Sequence, residues 1–582
     1  MHRIVIVLSL IILGGSPLCV HAQLRLLLQD APRIVAYEET SGGMLALAGW
    51  FDESIDLEPG PGNTVLEPIG ERDGFLAVYN IEGVLQLALP IHCVTSTDWV
   101  EVKGLGYRPG GGYWLVGTLK GSADFDPGSG EYVLSSTPGK ESGFIARYTA
   151  TGFLESAFSF ANATAASAID KFVVAPNGMA YLTGYAYDPI DVQPGPDTLM
   201  FFPIGFRRYF MVGYTPDGYA AFVHLLGNAP FYGAATALAV DFSGGVALMY
   251  ADWEDGVPPK APYPNFAHVD SDGTFTDQFS LSTSVGVSSI SVGENGHLLV
   301  AGLLDGSTDV DPGPSTYILD GGLGTSAFFV DYELDYSVAY GVAFGGDSEI
   351  LVPTDRGVGV RTDDGSAFFV ARIIGEADID PGPNEVLVGI PALPGEKPGI
   401  PSAVVAKYSS SGDLDYGFSL GAETAFVNVR AVRLNQDAGH ITVFGELDGF
   451  EEGTIDLDPG PGVYEISGSD AFFVVSYDAK TGTFPIVTAA EAPRLGNPTI
   501  SVNPNPFGAS GAAILTPASS GHLRMELLDL LGRNLGTLFD GRVTAGSSLR
   551  VPFEGLTFAP GSYILKVIGP DGVATRLVTK AY

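Results

Sequence analysis

Asp124-Phe125-Asp126-Pro127-Gly128 organises the chain, because it returns. It recurs as Asp309-Val310-Asp311-Pro312-Gly313, Asp378-Ile379-Asp380-Pro381-Gly382 and Asp456-Leu457-Asp458-Pro459-Gly460. Weaker copies are Asp56-Leu57-Glu58-Pro59-Gly60 and Asp191-Val192-Gln193-Pro194-Gly195. The first carboxylates are spaced by 68, 67, 118, 69 and 78 residues. A fixed period of this size marks a repeat architecture. The interval of 118 is close to two periods, so a decayed copy is expected near Asp252 to Asp255.

Two other markers keep the same beat. A strand ending in Tyr recurs at 75–79, 144–148, 210–214, 328–332, 404–408 and 472–477, with a degenerate copy at 266–269. A Gly turn between apolar runs recurs at Gly43, Gly112, Gly178, Gly245, Gly296, Gly365 and Gly439. Both markers count seven units. Each unit reads as apolar strand, Gly turn, apolar strand, acidic loop, short strand and Tyr-ending strand. In the third unit, Asn177-Gly178 is expected to supply the two positive φ angles of a two-residue hairpin. Pro and Gly keep the acidic loops out of the strands themselves.

Four strands per unit and seven units predict an all-β fold over residues 23–488, a seven-bladed β-propeller. Each blade buries its faces on its neighbours, and ring closure leaves few exposed edges. Tandem sandwiches need about 100 residues each, more than this period supplies. The Asp-x-Asp-Pro-Gly units resemble propeller-type repeats of large exported proteins from Bacteroidota. That resemblance implies a fold rather than a ligand.

Residues 1–22 read as a signal peptide: Arg3, an apolar run over 4–13, then Val20-His21-Ala22 before Gln23. The run is too short to span a bilayer, and no other stretch is long enough. Beyond it only Cys93 remains, so no internal disulfide framework exists. The net charge of −38 excludes a nucleic-acid partner, which needs a basic patch. It also disfavours anionic membranes.

The period ends at a linker, 489–498. Residues 499–582 form a separate domain of alternating strands. It holds Pro504-Asn505-Pro506-Phe507, then Gly532-Arg533, Gly546, and Gly561 with Tyr563. In order and spacing these resemble the C-terminal sorting domain of the type IX secretion system. The resemblance implies an immunoglobulin-like β-sandwich and export through the periplasm. It implies two partners, the outer-membrane translocon and a sorting peptidase that removes the domain. The protein then ends at the cell surface or in the medium.

The acidic loops are the one chemical candidate. Asp56, Glu58, Asp124, Asp126, Asp191, Asp309, Asp311, Asp378, Asp380, Asp456 and Asp458 carry it. Carboxylates two residues apart on an extended segment share a side and can begin a calcium site, which needs six to eight oxygens. The same residues also make a metal-free turn: Pro fixes φ, Gly permits a positive φ, and Asp accepts local N–H bonds. Glu58 and Gln193 vary the second position and favour the turn. Phe75, Phe144, Phe328 and Phe472 are expected to be packing between blades. No His-x-His or His-Glu-x-x-His spacing, Gly-x-Ser-x-Gly elbow or P-loop occurs.

The reading is an exported, non-enzymatic propeller that binds an extracellular glycan or protein. Two alternatives remain open: a polysaccharide hydrolase or lyase with its site in the propeller funnel, and a calcium-stabilised surface protein.

Overall fold

The computed structural model describes residues 23–580, except 29–31, 41–42, 59–63, 82, 163, 204–206, 228–233, 253–262, 294, 345–348, 352–358, 363, 383, 390–400, 422–425, 436–438, 460–463, 483–498, 504–511, 517–520, 529–533, 545–546, 548, 553–560 and 570–571. The expected signal peptide, the linker and most of the acidic loop's decayed copy therefore lie outside the described residues. Among the described residues the protein is all-β, with no helix. The chain divides into two compact units, one running to 485 and the other from 486 to 582.

In the first unit the strands form successive antiparallel sheets, five of them of four strands; the first is extended at its edge by Ser122–Asp124 and Val133–Ser135, and the sixth has five. The first comprises Arg33–Glu39, Leu45–Phe51, Asp73–Tyr79 and Leu85–Cys93. The second comprises Trp99–Tyr107, Tyr113–Lys120, Glu141–Tyr148 and Leu154–Ser159. The third comprises Ser167–Val174, Ala180–Ala186, Arg208–Tyr214 and Ala220–Leu226. The fourth, which fills the long gap between acidic loops, comprises Ala235–Val240, Val246–Asp252, Tyr263–Val269 and Phe275–Ser280. The fifth comprises Val285–Val292, Leu298–Asp309, Ile318–Tyr332 and Val338–Phe344. In the sixth, Glu349–Leu351 and Gly359–Arg361 both pair with Ala367–Ile374, and Pro401–Tyr408 and Leu414–Leu420 follow.

The last sheet is assembled from both ends of the unit. Phe426–Asn435, His440–Asp456 and Glu465–Asp478 supply three strands, and Gln23–Leu28 supplies the fourth. Leu26 and Leu28 are buried there, so the N-terminal strand covers an otherwise open edge. Each sheet contacts the next in chain order, and those contacts run through the first strands of the sheets. The last sheet packs on the first: Ile34, Tyr37, Ala431, Phe444, Phe472 and Val474 share one core. Tyr37 stacks on Phe444 at 4.7 Å, and its hydroxyl donates to Arg430 O at 3.0 Å.

Cores lie between neighbouring sheets rather than inside any one of them. Leu76, Leu89, Val100, Leu115 and Phe144 bridge the first two sheets, and Phe329, Phe369, Val404 and Tyr408 bridge the fifth and sixth. Phe75, Phe144, Phe328 and Phe472 are fully buried in these layers, as packing residues. Their strands read as near-continuous apolar runs because both faces are covered.

The Gly turns differ in detail from the sequence expectation. In the third unit Gly178 N–H donates to Ala175 O at 2.8 Å, and Ala175 N–H to Met179 O at 2.8 Å. Only Gly178 has positive φ, at 86°, while Asn177 keeps the ordinary sign and its Oδ1 accepts from Met179 N–H. The turn is thus a three-residue loop ending in a left-handed Gly, the form that adds a bulge. In the fourth unit this position falls at Gly244 (φ 93°), not at Gly245. In the fifth unit's second hairpin it is taken by Tyr336 (φ 61°), the one described non-Gly residue with positive φ.

The second unit packs two sheets on a common core. Thr499–Asn503, Ala512–Thr516 and Leu549–Pro552 form one sheet. Asn534–Val543, Gly521–Leu528, Gly561–Gly569 and Gly572–Lys580 form the other. Ala513, Leu515 and Val551 of the first meet Leu523, Met525, Leu527, Leu565 and Val567 of the second. The alternation of 523, 525 and 527 is the period-two pattern of a half-buried strand.

Candidate functional site

The acidic loop is a lock between two sequence markers. The first Asp bonds backbone amides two and eight residues on. Asp56 Oδ1 accepts from Glu58 and Thr64 N–H at 3.0 and 3.1 Å. Asp124 accepts from Asp126 and Tyr132 at 3.0 and 2.8 Å. Asp191 accepts from Gln193 and Leu199 at 3.0 and 2.9 Å. Asp309 accepts from Asp311 and Tyr317 at 3.1 and 2.9 Å. Asp378 accepts from Asp380 and Val386 at 3.1 and 2.9 Å. Asp456 accepts from Asp458 and Tyr464 at 2.9 and 2.7 Å.

The second carboxylate closes a smaller turn. Asp126, Asp311 and Asp380 accept from Gly128, Gly313 and Gly382 N–H at 2.8, 2.7 and 2.8 Å. Glu58 instead accepts from the Thr64 hydroxyl at 2.9 Å.

Between the first Asp and the second polar position stands a fully buried apolar residue: Leu57, Phe125, Val192, Val310, Ile379 or Leu457. Its carbonyl accepts from the hydroxyl of the Tyr that ends the later strand. The pairs are Tyr79–Leu57, Tyr148–Phe125, Tyr214–Val192, Tyr332–Val310, Tyr408–Ile379 and Tyr477–Leu457, at 2.7 to 2.9 Å. Burial, reinforced by the neighbouring loop carboxylates, pushes these phenols far above their ordinary range. They remain neutral donors. A buried carbonyl has found its partner.

This arrangement makes a turn: the first Asp of each loop is engaged through Oδ1 with its own loop's amides. Among the described residues no group of three or more His, Cys, Asp or Glu side chains gathers to hold an ion. Of the sorting-motif residues, Pro504, Asn505, Pro506, Phe507, Gly532, Arg533 and Gly546 lie outside the described residues. Gly561 opens its strand, and Tyr563 packs beside the sandwich core.

Sequence reasoning missed a second recurrence. In six of the seven sheets the first strand slips register by one residue near its middle. The extra residues are Val35, Lys103, Asp170, Thr236, Ser288 and Arg430. A bulge re-aims a side chain and is enriched beside functional sites. These residues share a position and nothing else, so no sequence period betrays them.

Two of them, Lys103 and Asp170, lie on the adjoining first strands of the second and third sheets. Burial raises the Asp170 carboxyl to about 6, against the pull of Lys103, Lys171 and Arg207. Its Oδ2 is shielded from solvent and has no hydrogen-bond partner. Beside it stands an aromatic group. The Arg207 guanidinium lies 5.2 Å from the ring centres of both Tyr185 and Tyr209. Tyr185 meets Tyr209 and Tyr187 edge to face, each at 5.9 Å. Burial, with Glu141 and Asp170, pushes the Tyr185 phenol up to about 12. Tyr187 is 41% exposed.

The described histidines other than His224, whose ring meets the Gly273 carbonyl, pair with acids. His268 bonds Asp241 and Thr276, both at 2.6 Å. The equivalent corner holds Arg147 and Glu155 in the second sheet and Lys407 and Asp415 in the sixth. That corner is an ion-pairing position that varies between sheets. Cys93 is buried and free, and burial pushes its thiol well above the ordinary range.

No family model and no curated protein matches the chain. Among solved structures it is similar to U3-55K, with 8% identity, a TM-score of 0.20, and coverage of 53% of this chain and 95% of that one. It is also similar to prolyl oligopeptidase B from Galerina marginata. One structure gives 8% identity, a TM-score of 0.25 and coverage of 77% of this chain and 55% of that one. A second gives 10%, 0.26, 72% and 56%. This chain thus spans about half of that enzyme. Likenesses at such TM-scores carry no argument about activity.

Proposed function

We propose that the protein is an exported, non-enzymatic, closed seven-bladed β-propeller that binds a glycan or protein outside the cell. Its C-terminal immunoglobulin-like domain is a cleavable sorting signal of the type IX kind. The docking of Gln23–Leu28 into the last sheet, with the shared core between last and first sheets, supports closure. First strands then line the axis, because adjoining sheets meet through them.

One observation carries the binding role. The recurring acidic motif is absorbed by its own loop, whereas the first-strand bulges carry side chains that differ from blade to blade. A ligand is selected by differences, and a scaffold by repetition. The acidic loops are accordingly assigned a structural role.

Fractionation of the producing cell tests the export reading. The protein is expected outside the outer membrane, shortened by the region 499–582. A chain truncated after 498 is expected to stay in the periplasm. Recovery of the uncleaved chain in the cytoplasm overturns the reading.

A further inference from the structure

We infer that the junction of the second and third sheets binds a neutral glycan, whose hydroxyls bridge Asp170 to Lys103 and Arg207 while a sugar face rests on Tyr187. The inference rests on the reading above of an exported binder and names its ligand class.

The argument begins with an incomplete hydrogen-bond inventory. Asp170 Oδ2 is an acceptor withdrawn from water without a donor. An unsatisfied buried polar atom is uncommon and needs a reason. Arg207 Nε, a donor, is in the same condition. A group that gives a hydrogen to the first and accepts one from the second would complete both. A sugar hydroxyl does both, and neighbouring hydroxyls on one ring serve two sites at once.

The aromatic group supplies the second element. Tyr185 is fixed between Arg207, Tyr209 and Tyr187. Tyr187 is thereby held from behind while much of it faces solvent. A rigid aromatic with an apolar face and a polar tip is a low-entropy contact surface.

Charge decides between glycan classes. Lys103, Lys171 and Arg207 balance Asp170 locally, but a uronate or sulfated chain would have to approach a protein of net charge −38. That long-range repulsion opposes a polyanion. A neutral chain does not meet it.

The test uses the mature full-length protein and calorimetry against neutral oligosaccharides (cello-, laminari- and manno-hexaose) and acidic ones (alginate and polygalacturonate hexamers). A neutral member is expected to bind. Asp170→Asn and Tyr187→Ala are each expected to weaken it about tenfold, roughly one charge-assisted hydrogen bond or one aromatic contact. The groups that act on Asp170 are Lys103 of the second sheet, Lys171 on its own strand, Arg207, Tyr185 and Tyr209, and Glu141 and Tyr187 stand beside Tyr185. The ionised carboxylate is the acceptor, so wild-type affinity should fall as pH drops from 7.5 through 6 to 5. Asp170→Asn should flatten that profile, which loss of fold would not do.

Preference for an acidic hexamer overturns the ligand class and leaves an exported binder standing. Neutral binding that both variants leave intact overturns the site. Binding to no glycan, with capture of a protein partner instead, overturns the inference and leaves the export reading to be judged by fractionation.

Discussion

Replacing Tyr332 by Phe isolates one bond of the lock. The ring is fully buried, and its hydroxyl lies 2.7 Å from Val310 O, itself fully buried. Val310 N–H already donates to Tyr317 O at 3.0 Å. Phe fills the same volume, so no cavity opens, and the whole effect is a carbonyl left without a donor. That costs about 1–3 kcal/mol. Asp309→Ala strands the amides of Asp311 and Tyr317. Because the loop is half-exposed and water can reach it, about 2–3 kcal/mol is expected. Asp309→Asn keeps an acceptor oxygen and loses only the charge assistance, about 1 kcal/mol.

The assay must suit the size of the unit. Unfolding entropy of about 2.1 cal/mol/K per residue over a chain this long makes 1 kcal/mol worth only about 1 °C in Tm. Urea unfolding and hydrogen exchange at the 310–317 amides are the sharper readouts. The expected order of loss is Ala at 309, then Phe at 332, then Asn at 309, the same in chelator and in millimolar calcium. The reasoning fails if Tyr332→Phe is silent. It also fails if Asn is as harmful as Ala and calcium rescues the wild type alone, because the loop would then be a cation site.

The seam carries its own pH dependence. Burial opposes ionisation of Glu39, but the His440 hydrogen bond and the Arg25 charge outweigh it and hold the carboxyl at about 2, below its ordinary 4.5. Stability from this group is therefore full above 4.5 and is lost as pH falls towards 2. Glu39→Gln should remove that acid-labile part, on the order of 2–3 kcal/mol, in urea titrations at pH 7 against pH 3. Deleting residues 23–28 uncovers the Glu465–Asp478 strand, so concentration-dependent association in sedimentation is expected alongside lowered stability, whereas a stable monomer would contradict the closure. At Tyr336, Gly should be about 1 kcal/mol more stable than Ala, because only Gly accepts φ of 61° without strain. Both should fall below the wild type, whose ring packs on Phe266 and Phe279 at 5.2 Å.

What the sequence disclosed and what it concealed divide along one physical line. Asp309, Pro312 and Gly313 act on backbone within their own loop, so their identity and spacing are legible. Tyr332 was legible as a marker, but its bond to Val310 spans 22 residues, and the sixth unit's bond spans 29. Only folding brings such pairs together. The seam is more remote still: His440 reaches Glu39 across 401 positions. Lys103 and Asp170 were hidden for another reason. A bulge belongs to the pairing of two strands, so neither strand announces it alone, and Asp170 is one of 67 acids. Asn177 shows the reverse error, where a familiar dipeptide suggested two positive φ angles and the chain used one. Repetition thus reveals what every blade needs to fold. A binding site that one molecule fits must break the repeat, and the first-strand bulges are where these sheets carry different residues at one shared position.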